Sequence, residues 1–431
     1  MSEDLNLYGM RYNVALTVFF IPYALLEVPS NIVLKMIRPS IWISLLCFGW
    51  GLVMTLMGIV QSYQGLVVAR LFLGAAEAGF FPAATFLLTL WYQRYEVQRR
   101  MAVFYAAASL SGAFSGLLAF AIEKMDGVAG LGGWQWIFIL EGLAPILVSF
   151  TLYFLLPDNP ETAKFLTKEE REFVAFRLAY QPGSTHVRVT NTDKMTWNYI
   201  KAGFSDWKVW AAIVPFMTCS IGVYGFTATV PTVVKDLGYT SANAQLMTIP
   251  IYVVGMAGTL IVAFWSDRIQ QRTPFIIGCF VFGAVGFIGE LAVPHPGLPG
   301  VAYTFLFFVA IGLYGPFVCI VTLIANNVAP SSKRAVAMAV MISIGNLGGI
   351  CGSNIYLASQ APRYPAGFGV SLGMCTAGII MTFVLRKAYR KENRKRDELL
   401  AREGEDVVRA TYTEQELLDL GDKSPFYRYT V

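Results

Sequence analysis

The apolar stretch Leu66 to Trp91 contains two charges, Arg70 and Glu77, seven positions apart. Seven residues is close to two helical turns, so the two share one helix face, roughly 10 Å apart along the axis. A charge inside a bilayer costs several kcal/mol unless it is paired or faces a wet cavity. An arginine so placed can grip a carboxylate through two parallel hydrogen bonds. A half-buried glutamate can carry a proton across a cycle of conformations. Arg70 therefore reads as a substrate-binding group and Glu77 as a proton-coupling group. The structural alternative is an ion-pair site that only joins helices. Gly74 and Ala78 lie on or beside the same stripe and leave room for a neighbouring helix or a ligand.

Other polar residues in apolar runs are weaker candidates. Glu27, near the inner end of its run, reads as a gate or a packing partner. Glu141 reads as mainly structural, and Glu290, near an outer end, is expected to be solvated. Tyr224 ahead of Pro231, Tyr314 beside Pro316 and Asn346 in a glycine-rich run can each offer one polar group to a cavity. Helix packing explains each of these at least as well. Asp267, Arg268 and Arg272 cluster at the end of another run. An acid among the bases exceeds what topology alone needs, so this cluster reads as a gate.

The elements that must position these groups follow from composition. Of 431 residues, 55% are hydrophobic and 14% charged, and the mean hydropathy is +0.54. A soluble domain needs a more polar surface, so the chain is read as a polytopic membrane protein, all α. A crossing takes about 20 mostly apolar residues. Eleven runs qualify: 12–34, 41–60, 66–91, 101–122, 134–156, 209–234, 244–265, 274–293, 301–324, 335–357 and 368–386. With the loop after the first run placed in the cytoplasm, 28 of the 33 Lys and Arg residues fall on the inner side. The C-terminus is then inside and the N-terminus outside. No cleavable signal peptide is read at Met1.

Several chemistries are excluded or disfavoured. The six cysteines lie in apolar runs without metal spacing, and the two histidines, His186 and His295, fall in loops. No metal, cofactor or nucleic-acid site is expected, and no cluster has catalytic spacing. No phosphate-binding Gly-x-x-x-x-Gly-Lys-Ser/Thr loop occurs, so the energy source must be an ion gradient.

Shifted by 234 residues, the chain aligns with itself: Pro82 falls on Pro316, Arg100 on Arg334 and Ser109 on Ser343. Parallel six-helix repeats are a transporter plan. The run starting near Val209, shifted back, would begin before Met1, so the first half has five runs. A truncated gene model or alternative start accounts for that, as does a genuine eleven-span protein. The organisation expected is an N-terminal bundle over 1–157, a cytoplasmic linker over 158–208, a C-terminal bundle over 209–389 and a cytoplasmic tail over 390–431. Thr167-Lys-Glu-Glu170 is a capping box opening a helix through about Leu178. Arg386 to Arg396 is basic and expected against anionic lipid on the inner leaflet. Beyond about Arg402 a disordered tail is expected. Gly112-x-x-x-Gly116, Gly345-x-x-x-Gly349 and Gly348-x-x-x-Gly352 mark close helix seams.

Larger stretches carry a resemblance: Asn13 to Tyr23, Glu27-Val-Pro-Ser-Asn31, Arg70 to Pro82, Gly133 to Gly142 and Leu156-Pro-Asp-Asn-Pro-Glu161 with Ala163-Lys-Phe-Leu166. Trp265-Ser-Asp-Arg268, Asn326-Asn327, Lys333-Arg334-Ala335 and Leu420-Gly-Asp-Lys-Ser-Pro425 belong to the same set. Together they resemble the major facilitator superfamily, and within it the fungal allantoate permease-like anion:cation symporters. The resemblance implies two six-helix bundles, here with the first helix of the N-terminal bundle absent. It implies proton-driven uptake of a small carboxylate such as allantoate, nicotinate or pantothenate by a monomer in the plasma membrane. It also carries the Arg70-to-Glu77 spacing. Two alternatives stay open: an exporter of a fungal metabolite, and a non-transporting sensor or truncated remnant.

Overall fold

In lipid every backbone N–H and C=O must be satisfied within the chain, so long apolar runs become helices. Proline marks where four of them start: Pro39, Pro274, Pro299 and Pro365 occupy first-turn positions, where a missing N–H costs nothing. The computed structural model of the chain describes residues 4–8, 11–123, 125–179, 196–239, 241–294 and 297–431; His186 and His295 lie outside them. Among the described residues there is no strand.

The helices are α1 (Arg11–Met36), α2 (Pro39–Met57), α3 (Tyr63–Glu77), α4 (Phe80–Trp91), α5 (Arg94–Glu123) and α6 (Gly133–Leu155). After them come α7 (Lys168–Ala179) and α8 (Trp197–Ser205). The second series is α9 (Trp207–Asp236), α10 (Ser241–Ile269), α11 (Thr273–Ala292), α12 (Pro299–Asn327), α13 (Ser331–Asn346), α14 (Gly348–Ile355) and α15 (Pro365–Glu403). The short helices α16 (Glu405–Ala410) and α17 (Glu414–Leu420) follow. Ten stretches among the described residues are long and apolar enough to cross a membrane, with α3–α4 and α13–α14 each counted once. Eleven were expected; the fourth run, 101–122, is helical within α5 but is not among the ten.

The repeat read from the sequence has a packing counterpart. The 234-residue shift lays α1 on α10, α2 on α11, α3–α4 on α12, α5 on α13–α14 and α6 on α15. In the first series α3 packs on α1 and α2, and α2 on α6; in the second, α12 packs on α10 and α11, and α11 on α15. The two series meet through α1 against α13 and α5 against α10, contacts that the same shift interchanges. Large apolar side chains of α6, including Leu147, Phe154 and Leu155, are exposed, as a lipid-facing helix requires.

Three expectations are corrected. The run 66–91 is not one helix: α3 ends at Glu77, and Gly79 takes a left-handed φ of 86° before α4 begins. A Cβ at Gly79 would meet Ser30 Oγ and Cβ on α1, so glycine is required here both for its dihedral and for the close approach. Glu290 is not solvated but buried, at 1% exposure, because the end of α11 is covered by its neighbours.

The tail is not disordered either. Tyr427 and Tyr429 are buried, and the last residues are bonded into the ends of other helices: Thr430 N to Asn327 Oδ1 at 2.7 Å and Arg272 N to the Val431 oxygen at 2.6 Å. Averaged composition hid three aromatic residues, Phe426, Tyr427 and Tyr429, that fill a gap between helix ends. The capping box forms as expected, with Thr167 N donating to Glu170 Oε2 at 2.8 Å and Glu170 N to Thr167 Oγ1 at 3.3 Å. Those bonds hold the Glu170 carboxyl below its ordinary range.

Candidate functional site

Glu77 is the last residue of α3, so the helix break falls immediately beyond it. Broken helices near the middle of a membrane leave backbone groups free and recur at transporter binding sites. Gly74 turns to α1: a Cβ there would meet the Phe19 carbonyl oxygen and Pro22 Cγ. The room left by that small residue is therefore taken by a helix and not by a ligand. Arg70 and Glu77, on the neighbouring part of the same stripe, are both partly exposed although they sit among packed helices.

Arg70 and Glu77 interact electrostatically, and Arg70 also with Tyr12, but no ion pair within 4 Å joins the two. Arg70 Nε is buried without a hydrogen-bond partner. Glu77 lies within electrostatic range of Tyr23 on α1 and of Tyr224 on α9. Tyr23 is in turn within range of Glu27, whose side chain is 0% exposed and whose two carboxyl oxygens have no hydrogen-bond partner. Among the described residues no base faces Glu27, which argues against a salt-bridge gate there. The structure thus brings Arg70, Glu77, Glu27 and Tyr224 into one region where α1 and α3 face α9. The ring of Tyr224 meets that of Phe20 edge-on, with centroids 5.0 Å apart.

Aromatic rings extend this region toward the second series. Tyr105 on α5 stacks on Phe317 on α12 at 4.1 Å, with Tyr314 6.4 Å from both Tyr105 and Tyr252. The Tyr314 hydroxyl bonds Thr227 Oγ1 at 3.1 Å. Tyr314 is therefore part of the seam, buried at 4% exposure. Asn346 is elsewhere: its Oδ1 accepts from Ser220 Oγ at 3.3 Å in the contact between α13 and α9.

At the end where Lys and Arg gather, Arg272 Nη1 donates to Asp267 Oδ1 at 3.3 Å, and both are buried. Arg268 is exposed and outside that pair. Across the seam, Arg99 of α5 stacks its guanidinium over Phe264 at 4.5 Å and lies within electrostatic range of Asp267. Sequence reading missed the residue at the centre of this end. Gln98, fully buried, donates to Ser266 Oγ on α10 and to Cys319 Sγ at 3.0 Å, and accepts from Thr322 Oγ1 on α12 at 3.2 Å. A glutamine among Arg94, Arg99 and Arg100 reads as polar surface, and nothing local marks it as a tie.

The opposite end has its own tie. Asn13 Nδ2 donates to Asn354 Oδ1 at 3.1 Å, and Asn354 Nδ2 to Thr17 Oγ1 at 3.1 Å, joining α1 to α14. Between the two ends, Ser343 Oγ donates to the Ala24 carbonyl at 2.5 Å. The arrangement holds charged and polar groups in an interior region, closed by breakable polar contacts above and below.

Comparisons with known proteins follow the same line. The model for the Major Facilitator Superfamily matches residues 1–353. The chain is 37% identical over 441 residues to the MFS-type transporter cnsO of Penicillium expansum, across 100% of this chain and 84% of that protein. It is 32% identical over 429 residues to the high-affinity nicotinic acid transporter of Saccharomyces cerevisiae, across 100% of this chain and 78% of that one. Among solved structures, the proton:xylose symporter XylE superposes with a TM-score of 0.63 at 16% identity, over 88% of this chain and 85% of that chain. Matched across most of its length by the family model and along all of it by relatives above 30% identity, the chain belongs to the major facilitator superfamily, a family of transporters and not of enzymes.

Proposed function

We propose that the chain is a secondary active transporter that takes up a small organic anion with protons by alternating access, as a monomer in the plasma membrane. The carrying observation is Arg70: a guanidinium two turns before a helix break, with its Nε unbonded and no ion pair to Glu77. Its fork is therefore available to a ligand carboxylate, with two parallel hydrogen bonds as the expected grip. The relative named for nicotinic acid, itself a carboxylic acid, supports this substrate class.

Glu77 is the proton carrier in this reading. It adjoins Arg70 closely enough for substrate charge and proton occupancy to influence each other. Glu27 is a second proton-binding carboxyl, since an unpaired charge at a fully buried site costs several kcal/mol. Tyr224 brings the second series of helices to the ligand, with Tyr314 further along the aromatic seam and Asn346 in the contact between α9 and α13. The Asp267–Arg272 pair, with Arg268 beside it, serves the inner gate.

The test is uptake of labelled nicotinate and related carboxylates by cells expressing the chain, with external pH recorded. Uptake with external alkalinisation is expected. Efflux of the acid without alkalinisation would favour an exporter, and neither flux, with the protein at the surface, a non-transporting sensor.

A further inference from the structure

A cavity of about 350 Å³ opens at the basic end of the molecule, well away from Arg70 and Glu77, between α15, the start of α9 and the folded tail. Five of its lining residues are bases: Lys208, Lys391, Lys395, Arg396 and Lys423. One is an acid, Glu392. We propose that this cavity binds the phosphorylated headgroup of an anionic lipid.

The charges are not all consumed by the protein. Arg396 is buried and fixed as the floor, donating to the carbonyl oxygens of Tyr427 at 2.6 Å and Asp422 at 2.9 Å. Lys208 is held by Asp422 at 3.1 Å and by the Tyr429 hydroxyl at 2.6 Å. Glu392 reaches Lys395 and Arg396 only at 3.8 Å. Lys391 and Lys423 have no ion-pair partner among the described residues, and both are exposed. Three exposed ammonium groups, those of Lys391, Lys395 and Lys423, thus surround a fixed guanidinium. That arrangement suits a phosphate ester with several oxygens and repels a cation.

Depth favours a lipid as the source. The apolar part of α15 ends at Leu385, and the helix continues as Arg386-Lys-Ala-Tyr-Arg-Lys391. At 1.5 Å per residue, Ala388 stands about 5 Å and Lys391 about 9 Å past that boundary. The headgroup layer on each side of a bilayer is roughly 5–8 Å deep. Lys395 and Arg396 stand about 15 to 16 Å past the boundary, so the cavity runs from the headgroup level to roughly 10 Å beyond it, the side on which a phosphorylated sugar headgroup projects. Trp207, 52% exposed on the cavity rim, is of the type that anchors at this interface. Because Lys423 and Tyr429 come from the tail and Lys391 from α15, an occupant also holds the tail in place.

The test uses the full chain in nanodiscs of phosphatidylcholine alone, or with phosphatidylinositol bisphosphate or phosphatidylserine, and a fourth sample of plain discs with inositol hexakisphosphate. Thermal stability and protease cutting of residues 404–431 are read as each probe is titrated. Saturable stabilisation and tail protection by the phosphoinositide are expected, with at least a tenfold loss of apparent affinity in a Lys391→Gln, Lys395→Gln, Lys423→Gln variant that elutes normally on size exclusion. An equal response to phosphatidylserine, or an unchanged response in the triple variant, would overturn the site. A response to inositol hexakisphosphate but not to the lipid would overturn the lipid source and assign the cavity to a free polyphosphate.

Discussion

Arg70 and Glu77 share a face, yet the break after Glu77 gives them different surroundings. Arg70 keeps a helical backbone on both sides, which fixes where its guanidinium points. Glu77 sits at a helix end, beside Tyr23 and Tyr224 from two other helices. If the fork of Arg70 binds a carboxylate, Arg70→Lys keeps the charge and loses the second parallel bond. Its KM is expected to rise about tenfold, which corresponds to about 1.4 kcal/mol, with surface expression unchanged. Arg70→Ala is expected to abolish uptake at normal surface level, and ordinary uptake by that variant would remove the carboxylate grip. Glu77→Gln separates binding from coupling. Exchange of labelled for unlabelled substrate across vesicles is expected to persist, while accumulation driven by a pH gradient falls to background. Loss of both activities together would make Glu77 structural.

The elements around the site are held by a few polar contacts, and these set which side opens. Gln98 ties α5 to α10 and α12 at the basic end, and Asn354 ties α14 to α1 at the other. The two contacts belong to seams that the internal repeat interchanges, so weakening one should favour opening on its own side. A single buried hydrogen bond is worth about 1 kcal/mol, enough to shift a balanced two-state equilibrium about fivefold. With a reporter at Tyr224→Cys, labelling by an impermeant thiol reagent from outside is expected to slow in Gln98→Ala and to quicken in Asn354→Ala. The same direction of change in both variants would show that they loosen the fold and do not bias the cycle. Glycines serve the static seams: Gly345 and Gly352 pack against Phe216 and Ile221 of α9, while Gly349 meets Phe20 across the interface between the two series.

At the scale of the whole molecule, the tail fastens the basic ends of α9, α12, α13 and α15 together. Asp422 is the centre: Lys333 Nζ lies 2.7 Å from its Oδ1 and Lys208 Nζ 3.1 Å from its Oδ2, with Asp206 2.8 Å from Lys333. Burial alone would raise the Asp422 carboxyl, but the two lysines outweigh it and hold it below its ordinary value. A depressed carboxyl contributes stability above its unfolded value, about pH 3.9, and loses it as pH falls through the folded value. Protection of the tail from acid-active protease is therefore expected to hold at pH 5 and to fade below about pH 3.9. Asp422→Asn leaves the buried Lys333 and part-buried Lys208 ammonium groups without half their counter-charge. It is expected to cost about 3 kcal/mol and to expose the tail at neutral pH; an unchanged melting temperature and cutting pattern would refute the fastening role.

What could be read without coordinates was whatever depends on local chemistry against a bilayer of known thickness. The apolar runs, the capping box at Thr167, the uneven placement of Lys and Arg, the 234-residue repeat and the spacing of Arg70 and Glu77 are all of this kind. Even the helix break left a mark, since Gly79 followed by Pro82 is a stop-and-start signal within a run counted as one span. Tertiary structure alone decided which polar groups meet. Gln98 finds its partners 168 to 224 positions away, Glu290 is covered by packing around α11, and Asp422 joins lysines from α9 and α13. Hydropathy averages a neighbourhood along the chain, whereas a buried hydrogen bond or ion pair depends on which helix faces meet in space.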